Sequence, residues 1–119
     1  MRYFKLHEFA CKHCGEIHMD DRFLEILDNI RHDFKAPIHI TSGYRCPEYN
    51  AKISHTGTTG PHTTGKAVDI PCSGEDAFRL LSIALQHGIT GVGVKQKGSG
   101  RFLHFDIIDH DLRPRIWSY

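Results

Sequence analysis

Three residues in the second half of the sequence have the side chains of metal ligands. His62 and Asp69 lie in the stretch HTTGKAVDI (62–70), and His104 lies in RFLHFDII (101–108). An aspartate inside the apolar run AVDI is costly to bury unless a positive charge meets it. Two imidazoles and one carboxylate suit a catalytic zinc ion that keeps a fourth position open for water. The spacing also allows a second interpretation, in which Asp69 caps a turn and both histidines are ordinary surface residues.

The residues around His104 alternate as in a β-strand. Alternate side chains of a strand point to opposite faces, so Leu103 and Phe105 form an apolar face. His104 and Asp106 then share the other face. In KAVDI, Asp69 likewise lies on the face opposite its apolar neighbours. We therefore expect two strands that each carry, on the face away from the core, polar side chains able to bind a metal or transfer a proton.

The elements that must position these residues follow from hydrophobic periodicity and turn signals. Helices are predicted within 19–35 and 73–88, where apolar residues recur at helical spacing, and a short helix within 42–53. Strands are predicted at 38–41, 66–71, 90–95 and 101–108, and the tail 112–119 is predicted to pack as an extended segment. This order predicts an α+β fold, an antiparallel sheet with helices packed on one face.

Length and charge restrict the class of protein. A chain of 119 residues fits one domain, 1–119, in which 1–19 is a cysteine-containing N-terminal segment. The formal net charge of +1 gives no strong attraction to nucleic acid or membrane, and no apolar run is long enough to span one. We expect a monomer with no nucleic-acid partner. The N-terminal residues lack the apolar core of a signal peptide, so we expect synthesis in the cytoplasm and release or export by another system.

The four cysteines leave several interpretations open. Cys11 and Cys14 form the pair CKHC, which is typical of a zinc half-site, a redox pair or two unrelated thiols. A structural zinc needs about four ligands. The residues that could complete such a site are Cys46, Cys72, His13 and His18. Without a signal peptide, a disulfide is not expected.

Four motifs in a fixed order resemble a known family. ITSGYRCPEYN, HTTGKAVDI, VGV and FLHFD follow one another as in the zinc D-Ala-D-Ala carboxypeptidases and related peptidoglycan endopeptidases, whose fold is shared by hedgehog signalling domains. The resemblance covers roughly residues 20–119 and is strongest to the small form found in phage lysins. It implies that His62, Asp69 and His104 bind Zn²⁺ and that Arg45 of SGYR lies in the substrate cleft, where a guanidinium suits a stem-peptide carboxylate.

The general base is where the sequence departs from the family. Several relatives carry an acid three residues before the last zinc histidine, and Arg101 stands there. Asp106 either serves as the base or orients His104 through a hydrogen bond. His55 in the glycine-rich loop is a weaker candidate.

The resemblance implies a zinc metallopeptidase that cuts peptide bonds in peptidoglycan stems, either as a carboxypeptidase or as an endopeptidase. The missing acid at position 101 leaves a second hypothesis from another class. In that hypothesis the chain is a catalytically inactive, zinc-stabilised module that binds cell-wall peptide or a protein partner.

Overall fold

The computed structural model describes residues 1–110 and 112–119. Its helices are α1 (Asp21–Phe34), α2 (Pro47–Ile53) and α3 (Gly74–Gln86). Its strands are β1 (Ala67–Pro71), β2 (Gly91–Lys95), β3 (Phe102–Asp106) and β4 (Arg115–Ser118). Short 3-10 turns cover Leu6–Phe9, Gly57–Thr59 and Pro61–Thr64.

Helix α1 begins and ends where the sequence predicts. Asp20 caps it by accepting a hydrogen bond from the backbone N–H of Phe23 at 2.9 Å, which satisfies one of the free N–H groups of the first turn. The apolar face of α1 packs against α3, and α3 packs against β3. Phe4 and Phe9 of the N-terminal segment lie in the same core, so this segment is packed onto the helices and the sheet.

The four strands form one sheet in the order β1-β3-β2-β4. Strand β3 pairs antiparallel with both β1 and β2, whereas β4 pairs parallel to β2. The α+β class is confirmed, and the sheet is mixed rather than wholly antiparallel. The tail, predicted only as an extended segment, supplies the parallel strand because its backbone hydrogen-bonds along the free edge of β2.

The strand predicted at 38–41 is absent from the described part of the chain. The segment meets β1 at a single bridge, in which Asp69 N–H donates to Ser42 O at 2.9 Å and Thr41 N–H donates to Asp69 O at 3.1 Å. The chain then turns toward the N-terminal segment, where Tyr44 N–H donates to Phe9 O at 2.9 Å. Gly43 permits this contact, since a Cβ there would lie 2.7 Å from the Cα of Phe9.

The two faces of the sheet have different chemistry. The core face carries buried apolar side chains from three strands: Val68, Ile70, Val92, Leu103 and Phe105. On the opposite face, the strand register aligns one row across all four strands: Asp69, His104, Gly93 and Trp117. None of the helices found in residues 1–110 and 112–119 has the length and apolar character needed to cross a membrane.

Candidate active site

The residues predicted as metal ligands meet on the polar face of the sheet. Asp69 of β1 and His104 of β3 are direct cross-strand partners, and His62 reaches them from the 3-10 turn just before β1. The Oδ1 atom of Asp69 lies 3.2 Å from His62 Nε2 and 3.2 Å from His104 Nδ1. Both histidines are buried, and the Asp69 side chain is only 13% exposed. The structure therefore brings together side chains separated by up to 42 positions in the sequence.

These three side chains fit a metal ion. Ligand atoms about 2.0–2.1 Å from a tetrahedral zinc lie about 3.3 Å from one another, close to the separations found here. His62 donates through Nδ1 to the carbonyl of Gly43 at 2.9 Å, so Nε2, which faces Asp69 Oδ1, is the nitrogen that would coordinate a metal. His104 donates through Nε2 to Asp106 at 2.7 Å, so its Nδ1, which faces Asp69 Oδ1, would take a metal in place of the proton that it donates to Asp69 in the metal-free chain. Each imidazole thus has one nitrogen held by the protein and one available to a metal.

Asp106 is fully buried and makes an ion pair behind His104. Its oxygens accept hydrogen bonds from Arg113 Nε and Nη2, both at 2.8 Å, and from the backbone N–H of Ile108 at 3.3 Å. Burial acts to raise the pKa of Asp106, but the bonds from Arg113 and His104 outweigh it and hold that pKa well below its usual range. The carboxylate stays ionised and has no solvent-facing oxygen.

The charges around His104 and Asp69 stabilise each other. Burial acts to lower the pKa of His104, and the hydrogen bonds to Asp106 and Asp69 raise it by more. Burial acts to raise the pKa of Asp69, and the bonds from His104 and His62 lower it by more. The aspartate in AVDI therefore remains a carboxylate, as a metal ligand must.

Arg45 lies against Asp69 and is held by three neighbours. It donates from Nε to Ser42 Oγ at 3.0 Å, from Nη1 to Asn50 Oδ1 at 3.1 Å, and from Nη2 to Asp69 Oδ2 at 3.3 Å. A guanidinium carries five N–H groups, so two remain for another acceptor. Asn50 was not predicted as part of the site, because its position in PEYN resembles that of any polar helix residue, although it is buried.

A cleft of about 780 Å³ opens over these groups. Arg45, His62, Asp69 and His104 line its floor, and its walls come from two segments. The first wall is residues 53–56, and the second is formed by Arg113, Arg115, Trp117, Ser118 and Tyr119. The cleft is therefore rich in cationic groups, and Asp69 carries the only side-chain carboxylate among the described residues that line it.

Trp117 and Arg113 were not predicted as parts of this site. The Trp117 ring lies 5.1 Å from the His104 ring, across Gly93, and the Arg113 guanidinium lies 5.0 Å from the Trp117 ring. A Cβ at Gly93 would meet Trp117 Nε1 at 2.8 Å. The sequence signal that could have found this arrangement is GVGV, in which Gly91 and Gly93 occupy the polar face and the two valines the core face.

The two remaining candidates for acid–base chemistry occupy different places. Arg101 is exposed and its Nε donates to the carbonyl of Gly98 at 2.9 Å, outside the cleft lining. His55 is exposed on the wall of the cleft. The structure thus brings His55, but not Arg101, to the side of the three clustered ligands.

The cysteines separate into a cluster and a single thiol. Cys11, Cys14 and Cys46 have sulfur atoms within 4.8 Å of one another. Cys72 is half-buried elsewhere and donates to the carbonyl of Ile70 at 3.4 Å. All four are free thiols in this structure.

The sequence matches the model of one known protein family. A family model described as Peptidase M15 matches residues 2–106. The matched range contains the three clustered ligands, Arg45 and Asp106. No curated protein sequence and no solved structure matches the chain.

Proposed function

Because the chain belongs to the peptidase M15 family, we propose that it is a zinc metallopeptidase that hydrolyses peptide bonds in peptidoglycan stem peptides. The match confirms the family resemblance carried by SGYR, HTTGKAVDI and FLHFD. The single observation that carries the proposal is the convergence of His62 Nε2 and His104 Nδ1 on Asp69 Oδ1, each at 3.2 Å, in the lining of an open cleft. The bond cut is either the terminal D-Ala-D-Ala bond or one within the stem.

In this proposal His62, Asp69 and His104 hold the zinc ion. When bound, zinc activates water as a nucleophile near neutral pH and polarises a carbonyl group. Gly43 and Asp106 fix the two imidazoles by accepting their other N–H groups at 2.9 and 2.7 Å. The ligands are thereby pre-oriented, so little side-chain entropy is lost when the metal binds.

Asp106 serves in this proposal as a positioning residue for His104. A general base must reach the proton that it removes, directly or through one water. The Asp106 carboxylate is fully buried and accepts from His104 and Arg113, so it does not meet that requirement. Its negative charge instead favours the His104 tautomer that presents Nδ1 to the metal.

The cationic cleft favours a substrate that carries a carboxylate. Arg45 keeps two N–H groups free, and Arg115 lies exposed on the wall formed by the C-terminal residues. A guanidinium pairs with a carboxylate through two parallel hydrogen bonds. Stem peptides of peptidoglycan end in a carboxylate, which these residues would hold beside the ligand cluster.

We assign proton transfer to His55 within the same proposal. It is the exposed imidazole on the cleft wall, and imidazole is the group most often used for general acid–base catalysis. No described side-chain carboxylate other than that of Asp69 lines the cleft. A His55→Gln variant should therefore bind zinc as the native chain does and hydrolyse substrate about 100-fold more slowly.

Mass spectrometry of purified peptidoglycan fragments tests the proposal. The zinc-loaded protein should release a terminal alanine or cut the stem, and the reaction should stop after chelation and in His104→Ala. His39→Ala is the matched control, since His39 is an exposed histidine away from the cleft, and it should retain full activity. Intact fragments at high concentrations of the zinc-loaded native chain would overturn the peptidase proposal.

One observation favours a second candidate, a zinc-stabilised binding module without activity. Arg101 occupies the position of an acid in several relatives, and its side chain points away to Gly98. If this candidate holds, fragments remain intact but shift the thermal unfolding temperature of the zinc-loaded chain. Arg45→Ala should then remove the shift, whereas the enzyme proposal expects product.

A further inference from the structure

A second group of side chains with metal-ligand chemistry lies outside the cleft. The sulfur atoms of Cys11, Cys14 and Cys46 lie within 4.8 Å of one another, although 32 positions separate Cys14 from Cys46 in the sequence. Cys11 is 2% exposed and Cys46 is 7% exposed, whereas Cys14 is at the surface. The proposed peptidase chemistry does not use these residues.

The backbone between Cys11 and Cys14 is shaped to bring both sulfurs to one side. Cys11 N–H donates to Glu16 O and Gly15 N–H donates to Cys11 O, both at 2.8 Å, which closes a tight turn. Gly15 has φ +77°, a left-handed conformation that glycine adopts without strain. Cys46 N–H points at Cys11 Sγ at 3.3 Å, the contact that a backbone donor makes to a thiolate.

A fourth donor stands beside one of the three sulfurs. His13, between the two cysteines of the turn, places Nδ1 3.6 Å from Cys46 Sγ. Its ring stacks on Tyr49 of α2, with centroids 5.5 Å apart and planes 6° from parallel, which fixes the ring orientation. The two other candidates from the sequence stand apart: Cys72 bonds to Ile70 O, and His18 packs edge-on against Tyr44.

We propose that Cys11, Cys14, Cys46 and His13 form a structural zinc site. Zinc binds thiolate sulfur at about 2.3 Å, so tetrahedral ligands lie about 3.8 Å apart for two sulfurs and about 3.6 Å apart for sulfur and imidazole nitrogen. The three sulfurs lie within 4.8 Å of one another and His13 Nδ1 lies 3.6 Å from Cys46 Sγ, so the imidazole has to move toward the other two sulfurs when the metal binds. Thiolate-rich sets select zinc over magnesium or calcium. Each thiol releases its proton to solvent as it binds, and the four protein ligands leave no position for substrate.

The position of the cluster indicates what the metal would stabilise. Cys46 is the N-cap of α2 and follows Arg45 directly, and Arg45 N–H donates to His62 O at 3.1 Å. Cys11, Tyr44 and Cys46 form a small buried cluster separate from the main core. A zinc ion there would cross-link the N-terminal turn to the segment that carries Arg45, and so fix one side of the cleft.

Zinc stoichiometry under reducing conditions tests this proposal. The native chain, loaded with excess zinc and desalted, should retain two zinc ions per chain. Cys14→Ser and His104→Ala should each retain one, and the double variant none. Cys14 is the site for substitution because its side chain is exposed, and Cys72→Ser is the control that should retain two. A native chain that saturates with one zinc lost in His104→Ala, or a Cys14→Ser chain that retains two, would overturn the proposal.

Cobalt substitution identifies the ligands independently of peptidase activity. The native chain and His104→Ala should both show the intense near-ultraviolet charge-transfer band of cobalt–thiolate bonds, and Cys14→Ser should lose most of it. His13→Ala should retain the charge-transfer band with an altered visible spectrum, and an unchanged visible spectrum would overturn the role of His13. A disulfide among the three cysteines of the zinc-loaded chain, detected by mass, would also overturn the site. If the proposed active-site zinc is wrong instead, His104→Ala will retain as many zinc ions as the native chain.

Discussion

A chain of charges runs from the candidate metal ligands into the protein interior. Asp69 contacts His104, His104 donates to Asp106, and Asp106 is paired with Arg113 through two hydrogen bonds at 2.8 Å. Asp106 is fully buried and the Arg113 side chain is 8% exposed. Buried charges are tolerated only when each one is paired, so these residues depend on one another.

Asp106→Asn should weaken both the fold and the metal site. The amide would leave the Arg113 charge without its partner, and removal of one member of a buried pair costs about 3 kcal/mol. We expect that loss in the free energy of unfolding, measured by urea denaturation of the zinc-free chain. Zinc affinity, measured by competition with a chromophoric chelator, should fall about 10- to 100-fold because His104 loses its anionic acceptor.

Asp109→Asn is the matched control for this substitution. Asp109 is an exposed carboxylate three residues further along the chain, and its change should leave stability and zinc affinity as they are. If Asp106→Asn retained native zinc affinity but lost hydrolysis, Asp106 would be the base and the assignment of His55 would be wrong.

At the scale of the elements, the two glycines of β2 make room for the site. Gly91 and Gly93 alternate with Val92 and Val94, so the valines face the core and the glycines face the polar side. Gly91 lies opposite Asp106, and Gly93 lies between His104 and Trp117. The missing side chains leave the space that the buried ion pair and the tryptophan ring occupy.

Gly91→Ala should destabilise the fold by about 1–3 kcal/mol, the usual cost of overpacking. Its Cβ would collide with the Asp106 carboxylate and approach Arg113 Nε at 2.5 Å, so the ion pair would have to move. Urea denaturation measures the loss, and zinc affinity should fall with it. Gly98→Ala is the comparison, since a Cβ there meets no atom within 4 Å and only its φ of +74° opposes the change. Equal zinc affinity in the two variants would contradict the role given to Gly91.

The periodicity of apolar residues along the sequence predicted the parts of the fold that depend on residues close in sequence. Helical periodicity located α1 and α3, and strand alternation placed His104 and Asp106 on the same face, as their 2.7 Å contact requires. The pairing of β4 with β2 depends on backbone hydrogen bonds between distant segments, which no local pattern encodes. Trp117 and Arg113 therefore entered the site unpredicted. Residues 38–41 alternate like a strand, but the described pairing with β1 is a single bridge made by the next residue, Ser42, to Asp69.

For the whole molecule, the attachment of the N-terminal segment to α1 links stability to pH. The carboxylate of Asp28, nearly buried in α1, accepts hydrogen bonds from the backbone N–H groups of Arg2 and Tyr3 and from Arg2 Nε at 2.9 Å. Burial acts to raise the pKa of Asp28, and the bonds from Arg2 and Tyr3 lower it by more. A carboxyl group whose pKa is lower in the folded state stabilises the fold above its unfolded pKa, about 3.9, and this contribution is lost as the pH falls through the folded value.

Asp28→Asn should therefore destabilise the chain at pH 7 and have little effect in acid. Hydrogen bonds to a charged group contribute about 1.5–3 kcal/mol, and we expect a loss near the lower value because Arg2 is 49% exposed. Urea denaturation of both chains from pH 7 to about pH 3 should show the difference shrinking below about pH 4, where the native carboxyl is also becoming protonated. Glu25→Gln, an exposed change on the same helix, should stay within about 0.5 kcal/mol of the native chain throughout. A loss in Asp28→Asn that stayed constant over this pH range would mean that the shape of the side chain, rather than its charge, holds the N-terminal segment on α1.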